Sequence, residues 1–448
     1  MELYKLDTSL DANKLFVVKR SEFEGRIDVN YYLNRLDFTN TIKLSKLCNI
    51  NGGKRIPLGF DYSDSETNYM YLRVSDMNDS NEFDFENFKY IDKTVFNILE
   101  RYEVKEHSLI ISIAGSVGKV KMLKNIPNDK RIILTENCAK ISIKDEGILL
   151  PEFLSIILST NFLKRQIEAS YIQTTIPKLG LDKILNLRIP ELHSLETQQQ
   201  IVDIYNNAYA QKQAKEAEAK ELLASIDTYL LNELGITLPE KDNSLEARIF
   251  TTNFSEVVGG RFDPFGIINQ NMKIEGGIYE NYSLKKLAVL QKGQSITSDK
   301  IIEGDYPVIA GGQSSPYNHN VYNHKGNVIT VSASGAYSGY VWYHHSPIFA
   351  SDCTMIYSKD ETNITTIFLF EILKCKQSEI YSLQQGAGQP HVYARDLEKL
   401  QIPLPPLEKQ NEIAAHIAGI RTQAKALQQE AEQVLEAAKQ QVEQMILG

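Results

Sequence analysis

The chain is poor in cysteine. Its four cysteines (Cys48, Cys138, Cys353 and Cys375) are far apart in 448 residues and form no CxxC pair. That excludes a disulfide framework and a thiolate zinc site, and it predicts free thiols in a reducing compartment, the cytoplasm. Long apolar runs are missing as well, so no membrane span is expected. The first residues, MELYKLDTSLDANKLF, lack the basic end, apolar stretch and cleavage site of a signal peptide. Excess positive charge is also absent. The net charge of −9 argues against a nucleic-acid binder, whose footprint is usually basic. Its distribution softens the objection. Residues 1–190 sum to +1, 191–248 to −6, 249–400 to −2 and 401–448 to −2. The acidity lies mostly in one segment, leaving room for basic clusters elsewhere. What is present is ordinary globular composition, 42% hydrophobic and 23% charged, in a chain long enough for two to four structural units.

The chain also repeats itself. Gly25-Arg26-Ile27-Asp28 matches Gly260-Arg261-Phe262-Asp263, and Ile42–Leu47 resembles Tyr282–Leu287. Leu109–Gly118 parallels Val328–Gly339, each reading as a strand that enters a glycine-bearing turn. Thr135–Cys138 pairs with Ala350–Cys353, and Gln198 pairs with Gln410. The offset falls from 235 at Arg26 to 212 at Gln198, which places insertions in the first copy. Short β-rich runs (131–134, 326–331) precede helix patterns (151–158, 366–373), so each copy reads as an α+β lobe with a curled sheet.

A long polar helix pattern follows each lobe. In the tail, Ile413, Ile417, Ile420, Ala424, Leu427, Ala431, Val434, Ala438 and Met445 alternate by four and three, broken only at Gln441, a heptad seam. Pro405-Pro406 fits just ahead of its start. The central helix, 196–234, carries Ile201, Ile204, Tyr205 and Ala208 early and Leu223, Ile226, Leu230 and Leu234 late, and Gly235 stops it. At 1.5 Å per residue it is roughly 58 Å long, more than one turn of DNA at about 34 Å. Two such helices would most simply pair with each other; pairing them antiparallel gives a pseudo-two-fold internal repeat.

On these motifs the chain resembles the specificity subunit of type I restriction–modification systems. The most specific elements are Ile-Pro-Leu-Pro-Pro-Leu-Glu-x-Gln-x-x-Ile at 402–413 and its looser copy at 189–201, where Glu191-Leu192-His193-Ser194 replaces the Leu-Pro-Pro run. The resemblance implies two similar target recognition domains, 1–190 and 249–400, and two antiparallel coiled-coil spacer helices, 191–248 (with a linker) and 401–448. It implies that each lobe reads one half of a bipartite double-stranded DNA target. The helices would set the gap and dock methyltransferase subunits, two of them expected, with restriction/translocation subunits joining. The chain itself would be non-catalytic and hold no cofactor; S-adenosylmethionine, ATP and Mg2+ would belong to the partners. Two rival readings stay open here: a self-contained DNA methyltransferase or nuclease with an unrecognised site, and a protein-binding coiled-coil adaptor.

No catalytic or metal motif stands out. Gly115-Ser116-Val117-Gly118-Lys119 is too short for a phosphate loop, and Val120 stands where Ser or Thr is needed. Asp263-Pro264-Phe265 lacks the second proline of an adenine-methyltransferase motif. His319 with His324, and His344 with His345, have no cysteine or carboxylate to complete a metal site. The glycine turns, with Ser116 in one and Ser334, Tyr337 and Ser338 in the other, can contact phosphate or merely connect strands. Tyr340, Tyr343 and His344 lie on a polar-aromatic stretch with donors and acceptors for base edges. Gln389, His391 and Arg395, and their counterparts Thr174 and Lys178, sit in loops suited to DNA contact or to docking on the helices. Lys54, Arg55, Arg73, Ser75, Lys119, Lys121, Lys130 and Arg131 form basic clusters, either phosphate contacts or a solvated face.

Overall fold

The computed structural model describes residues 38–77, 83–170, 177–238, 251, 274–386 and 388–447. The paired Gly-Arg-x-Asp motifs, Asp263-Pro264-Phe265 and Thr174 lie outside the described residues. The chain forms two compact units. One holds residues 1–213 and 431–448, the other 214–430.

In the first unit, β1 (Thr41–Lys43) leads through the short α1 (Leu44–Leu47) into β2 (Cys48–Gly52). Then come β3 (Tyr69–Leu72), β4 (Lys89–Tyr90), α2 (Lys93–Leu99) and β5 (Glu103–Val104). The strands β6 (Leu109–Ser112), β7 (Val120–Met122), β8 (Arg131–Leu134) and β9 (Cys138–Ile143) follow. The unit continues with α3 (Pro151–Ser159), α4 (Asn161–Ser170), α5 (Leu181–Leu185) and β10 (Arg188–Pro190). The first half of α6 (Leu195–Leu234) belongs to it.

The second unit repeats the plan. It has β11 (Asn281–Ser283), α7 (Leu284–Leu287), β12 (Ala288–Lys292), β13 (Tyr306–Ile309), β14 (Asn318–His319) and β15 (Val328–Ser332). After them come β16 (Val341–His344), β17 (Phe349–Ala350), β18 (Cys353–Ser358), α8 (Thr366–Cys375), α9 (Gln377–Ser382), α10 (Ala394–Leu397) and β19 (Gln401–Pro403). α11 (Leu407–Leu447) closes the chain.

Sheet order confirms the repeat. The first unit has β2-β9-β6-β7 and the second β12-β18-β15-β16, all antiparallel. The central strands β6 and β15 are buried along their whole length, which is why both read as near-continuous apolar runs. A second sheet in each unit holds one parallel pair, β3 with β8 and β13 with β17. The extra length of the first lobe falls between β3 and β6, where α2 and β5 have no counterpart between β13 and β15.

Each lobe closes on itself where its helix begins. β1 pairs antiparallel with β10 (Ile42 opposite Ile189) and β11 with β19 (Tyr282 opposite Ile402). A fully buried glutamine on the first turn of each long helix then clasps the loop ahead of α3 or α8. Gln198 Oε1 accepts from Leu150 N–H, and its Nε2 donates to the Ile148 and His193 carbonyls, all at 2.9 Å. Gln410 Oε1 accepts from Thr365 N–H, and its Nε2 donates to the Asn363 and Pro405 carbonyls, again all at 2.9 Å. An amide suits this place because it accepts one bond and donates two from a single side chain.

Within each unit the two helix segments run antiparallel. Lys409 pairs with Glu233, and Lys215 with Glu430 at 2.7 Å, in the second unit. Lys212 pairs with Glu432 at 3.4 Å in the first. Ile201 and Val202 share a core with Val442, Ile446 and the first lobe, and Ile226, Leu230, Ile413 and Ile417 share one with the second lobe. At the end of α6, Ile236 N–H donates to the Leu231 carbonyl (2.9 Å) and Gly235 N–H to that of Asn232 (3.0 Å), with Gly235 at φ 65°. This is the left-handed stop that glycine favours.

The buried stripe departs from a heptad. Ile201, Ile226, Leu230, Ile413 and Ile417 are buried, but Ile420, Leu427 and Val434 are only half-buried. Past Ala431 the buried positions are Leu435, Ala438, Val442 and Ile446, which passes over Gln441, and Leu223 points to solvent. Ala208, Ala219 and Leu230 lie 11 apart, as do Ile413, Ala424, Leu435 and Ile446. An 11-residue repeat means 3.67 residues per turn, closer to a straight helix than the heptad's 3.5.

Candidate nucleic-acid interface

In both units the glycine turn is held the same way. Gly118 N–H donates to the Ser112 carbonyl (2.9 Å) and Gly339 N–H to that of Ser332 (2.7 Å). Gly115 (φ 78°) and Gly335 (φ 88°) take the left-handed conformation, and a Cβ there would meet nothing within 4 Å, so both tips face open space. A second segment is stitched to each turn. Leu179 N–H donates to the Ile113 carbonyl (2.9 Å), with a bridge between Ala114 and Lys178. Val392 N–H donates to the Ala333 carbonyl (3.0 Å), with a bridge between Ser334 and His391. The first-lobe constellation therefore gathers Ser116, Lys178 and, at the base of the turn, Lys119. The second gathers Ser334, Tyr337, Gln389, His391 and Arg395.

The second lobe adds a ladder of flat groups. The His391 and Tyr393 rings stack at 6.1 Å, and the Arg395 guanidinium lies 4.8 Å from the Tyr393 ring centre. Tyr337, Gln389, Tyr393 and Arg395 are exposed. Backbone amides at the turn, amide and hydroxyl side chains, a cation and exposed aromatic faces together can engage phosphate, sugar or base. Ser334 Oγ donates to Asp352, so its hydroxyl is already engaged.

Several expected contacts are changed by their surroundings. Ser338 and Lys121 are buried, Lys121 with its ammonium 4.6 Å from the Phe83 ring centre. His344 is buried too, with Nε2 2.8 Å from Thr330 Oγ1. Burial first, and then His324, pushes its imidazole down to about 4, so it is neutral at neutral pH. These three do not face an outside ligand in this conformation. The polar-aromatic strand therefore contributes less surface than its alternation predicts, because α8 covers part of it. Tyr343 packs on Phe370 and donates to Asn327 Oδ1 (2.7 Å), and Lys374 lies over the Tyr340 ring.

The basic clusters of the first lobe are largely charge-matched. Arg55 meets Glu136 at 2.6 Å, Arg73 meets Asp76 at 2.6 Å, and Lys130 meets Glu66 at 2.7 Å. Arg131 meets Glu103 at 2.7 Å and Glu100 at 3.2 Å, and its guanidinium holds the Glu103 carboxyl below the usual carboxylate range. Ser75 Oγ donates to Asp76 (3.4 Å), and Lys119 Nζ reaches the Met77 carbonyl (3.4 Å). Lys54 and Lys178 are exposed. Among the described residues, Arg55, Arg73, Lys130 and Arg131 are thus each matched by a carboxylate of the same lobe.

Sequence reasoning takes in the loop that carries Tyr393 without singling out this middle rung of the ladder, and it does not see a matched loop start in the two lobes. Gly53 N–H donates to the Cys138 carbonyl (3.0 Å) and Gly293 N–H to that of Cys353 (2.8 Å). A Cβ on either would come within 2.2 Å of a backbone oxygen, of Thr135 or of Ser351. The signal was present as Gly-Lys-Arg-Ile against Gly-Gln-Ser-Ile, at 53–56 and 293–296.

A family model described as type I restriction modification DNA specificity domain matches twice, at residues 37–224 and 278–437, well over half of the chain. The specificity subunit of the type I restriction enzyme MjaVIII from Methanocaldococcus jannaschii is 28% identical over 132 residues, 28% of this chain and 31% of that protein. A putative type I restriction enzyme MjaX specificity subunit from the same organism is 23% identical over 262 residues, 50% of this chain and 61% of that protein. The chain thus spans about a third and three fifths of the length of these two curated relatives. A solved chain from work on complex assembly and conformational transition of the type I R-M system shares the fold. It has a TM-score of 0.54 and 16% identity, covering 91% of this chain and 96% of that one.

Proposed function

The chain belongs to the type I restriction modification DNA specificity family, and from that premise we propose that it is the DNA-reading, non-catalytic subunit of a cytoplasmic restriction–modification complex. Each lobe reads one half of a split duplex target through its turn-and-loop constellation, and the long helices set the unread gap. Methyltransferase subunits, two of them, dock on the helices, and restriction subunits join the assembly. S-adenosylmethionine, ATP and Mg2+ act in those partners. The observation that supports this best is the duplication of the outward turn with its stitched loop, through two matched backbone hydrogen bonds, in two lobes that otherwise differ in length and in side chains. A common scaffold with divergent side chains is what two readers of different half-sequences require.

Footprinting of the chain with its methyltransferase partner tests this. Two protected tracts with an unprotected gap are expected. Lys178→Glu should weaken the complex and flatten its salt dependence, whereas Gln389→Ala should relax base choice in one half only. Continuous protection, or methyl transfer by the chain alone, overturns the proposal.

A further inference from the structure

The two clasps allow the units to be aligned residue by residue, and the alignment sets a buried ion pair in one unit against apolar packing in the other. Leu150 and Thr365 are equivalent, since each gives its amide to the clasping glutamine. Six residues on stand Ile156 and Glu371. Gln198 and Gln410 are equivalent; eleven residues on stand Tyr209 and Arg421. In the second unit Arg421 grips Glu371 with two parallel bonds, Nη1 to Oε1 at 2.5 Å and Nη2 to Oε2 at 2.6 Å. The Glu371 side chain is 1% exposed and that of Arg421 35%. In the first unit Ile156 lies in the apolar core with Ile201 and Val202, and Tyr209 is half-buried.

We infer that the Arg421–Glu371 pair is a key that makes the second lobe specific for its own helix. Gln clasp, strand closure and apolar core are common to both units, so none of them tells one helix from the other. The pair does, because a buried carboxylate stranded without its guanidinium is strongly disfavoured. The key is one-sided. Arg421 is a third exposed and can turn to water when Glu371 is missing, but Glu371 has no such escape. A second-lobe sequence placed on the first helix would strand Glu371 against Tyr209, whereas a first-lobe sequence on the second helix would release Arg421 to water and part Asn161 and the Phe162 N–H from Glu443, leaving no buried carboxylate stranded.

The test uses full-length chains and amide hydrogen exchange of α8 and α3, and it is independent of DNA binding. R421Y should lower protection of α8 about a hundredfold or more. E371I should lower it less than about tenfold, and E371I/R421Y should stay within about tenfold of the parent. Transplanting the key should work as well: I156E lowers protection of α3 as strongly as R421Y lowers that of α8, and I156E/Y209R recovers it. If R421Y and E371I cost the same and simply add in the double variant, or if Y209R fails to rescue I156E, the key does not exist.

Discussion

Replacing Gln410 with alanine removes one acceptor and two donors from a site with no exposed surface. Thr365 N–H and the Asn363 and Pro405 carbonyls lose their partner. At roughly 1 kcal/mol net per hydrogen bond, the loss is about 3 kcal/mol. A water entering the vacated volume would return part of it, and the desolvation of any group left bare would add to it. Because the clasp joins the start of α11 to the start of α8, the cost should appear as local opening of that joint. Exchange of the Thr365 amide should accelerate about a hundredfold, while amides of β6 in the other unit stay unchanged. Gln410→Glu sharpens the test. A carboxylate can still accept from Thr365 but faces two carbonyl oxygens, so this variant should be weakest at neutral pH. It should regain stability in acid, where the protonated group donates one bond. Gln198→Ala should reproduce the effect at Leu150. A loss below about 0.5 kcal/mol at both positions would refute the claim that the glutamines fasten lobe to helix, since no other side chain supplies these bonds among the described residues.

Two further predictions concern the core and the helices. His344 has a folded-state pKa of about 4 against an ordinary 6.5, so the unfolded chain binds the extra proton. Its contribution is fully present above pH 6.5 and is lost progressively as the pH falls toward 4, about 3 kcal/mol in all; His344→Asn should flatten that part of the stability profile in urea titrations, and an unchanged slope would count against a buried neutral ring. Deleting residues 210–220 together with 423–433 takes 11 residues from each helix and keeps both stripes in phase, whereas 7-residue deletions turn the far stripe by about 30° at 3.67 residues per turn; melting followed by circular dichroism should show the first variant cooperative and the second destabilised, and the reverse order would restore the heptad reading.

Much of the fold is legible in the sequence because the chain carries two copies of it. A turn glycine such as Gly118 is ambiguous alone, but its match to Gly339 marks a shared backbone requirement. The helices announce themselves through Pro405-Pro406, Gly235 and their apolar spacing. The role of Gln198 and Gln410 is not legible, since a glutamine at a helix start looks like any polar surface residue; only the fold brings Ile148, Leu150 and His193 around one amide. The site was harder still. Lys130 with Arg131 reads as a cationic patch, yet Glu66, Glu100 and Glu103 answer it from distant positions in the chain. Charge matching of that kind is a property of the folded surface.

The α11 seam keeps all its expected residues buried or half-buried but shifts by one position past Ala431, and the shift shows what the fold demands of these helices. A seven-residue count and an eleven-residue count share Ile413, Ile417, Ala424 and Ala431, and past Ala431 the buried positions follow the second, in which Gln441 is a solvent position and not a defect. A heptad would serve two helices that see only each other. Here each segment of α11 packs on a lobe as well as on α6: Ile413 and Ile417 lie among the second lobe's residues, and Val442 and Ile446 among the first's. A stripe that must meet both kinds of neighbour gains from staying nearly straight, and alanines at 208, 219, 424, 431 and 438 leave room for close approach along it. Gln441 is therefore where the apolar stripe turns away, and its exposed amide fits the requirement of a helix that is shared between a partner helix and a lobe.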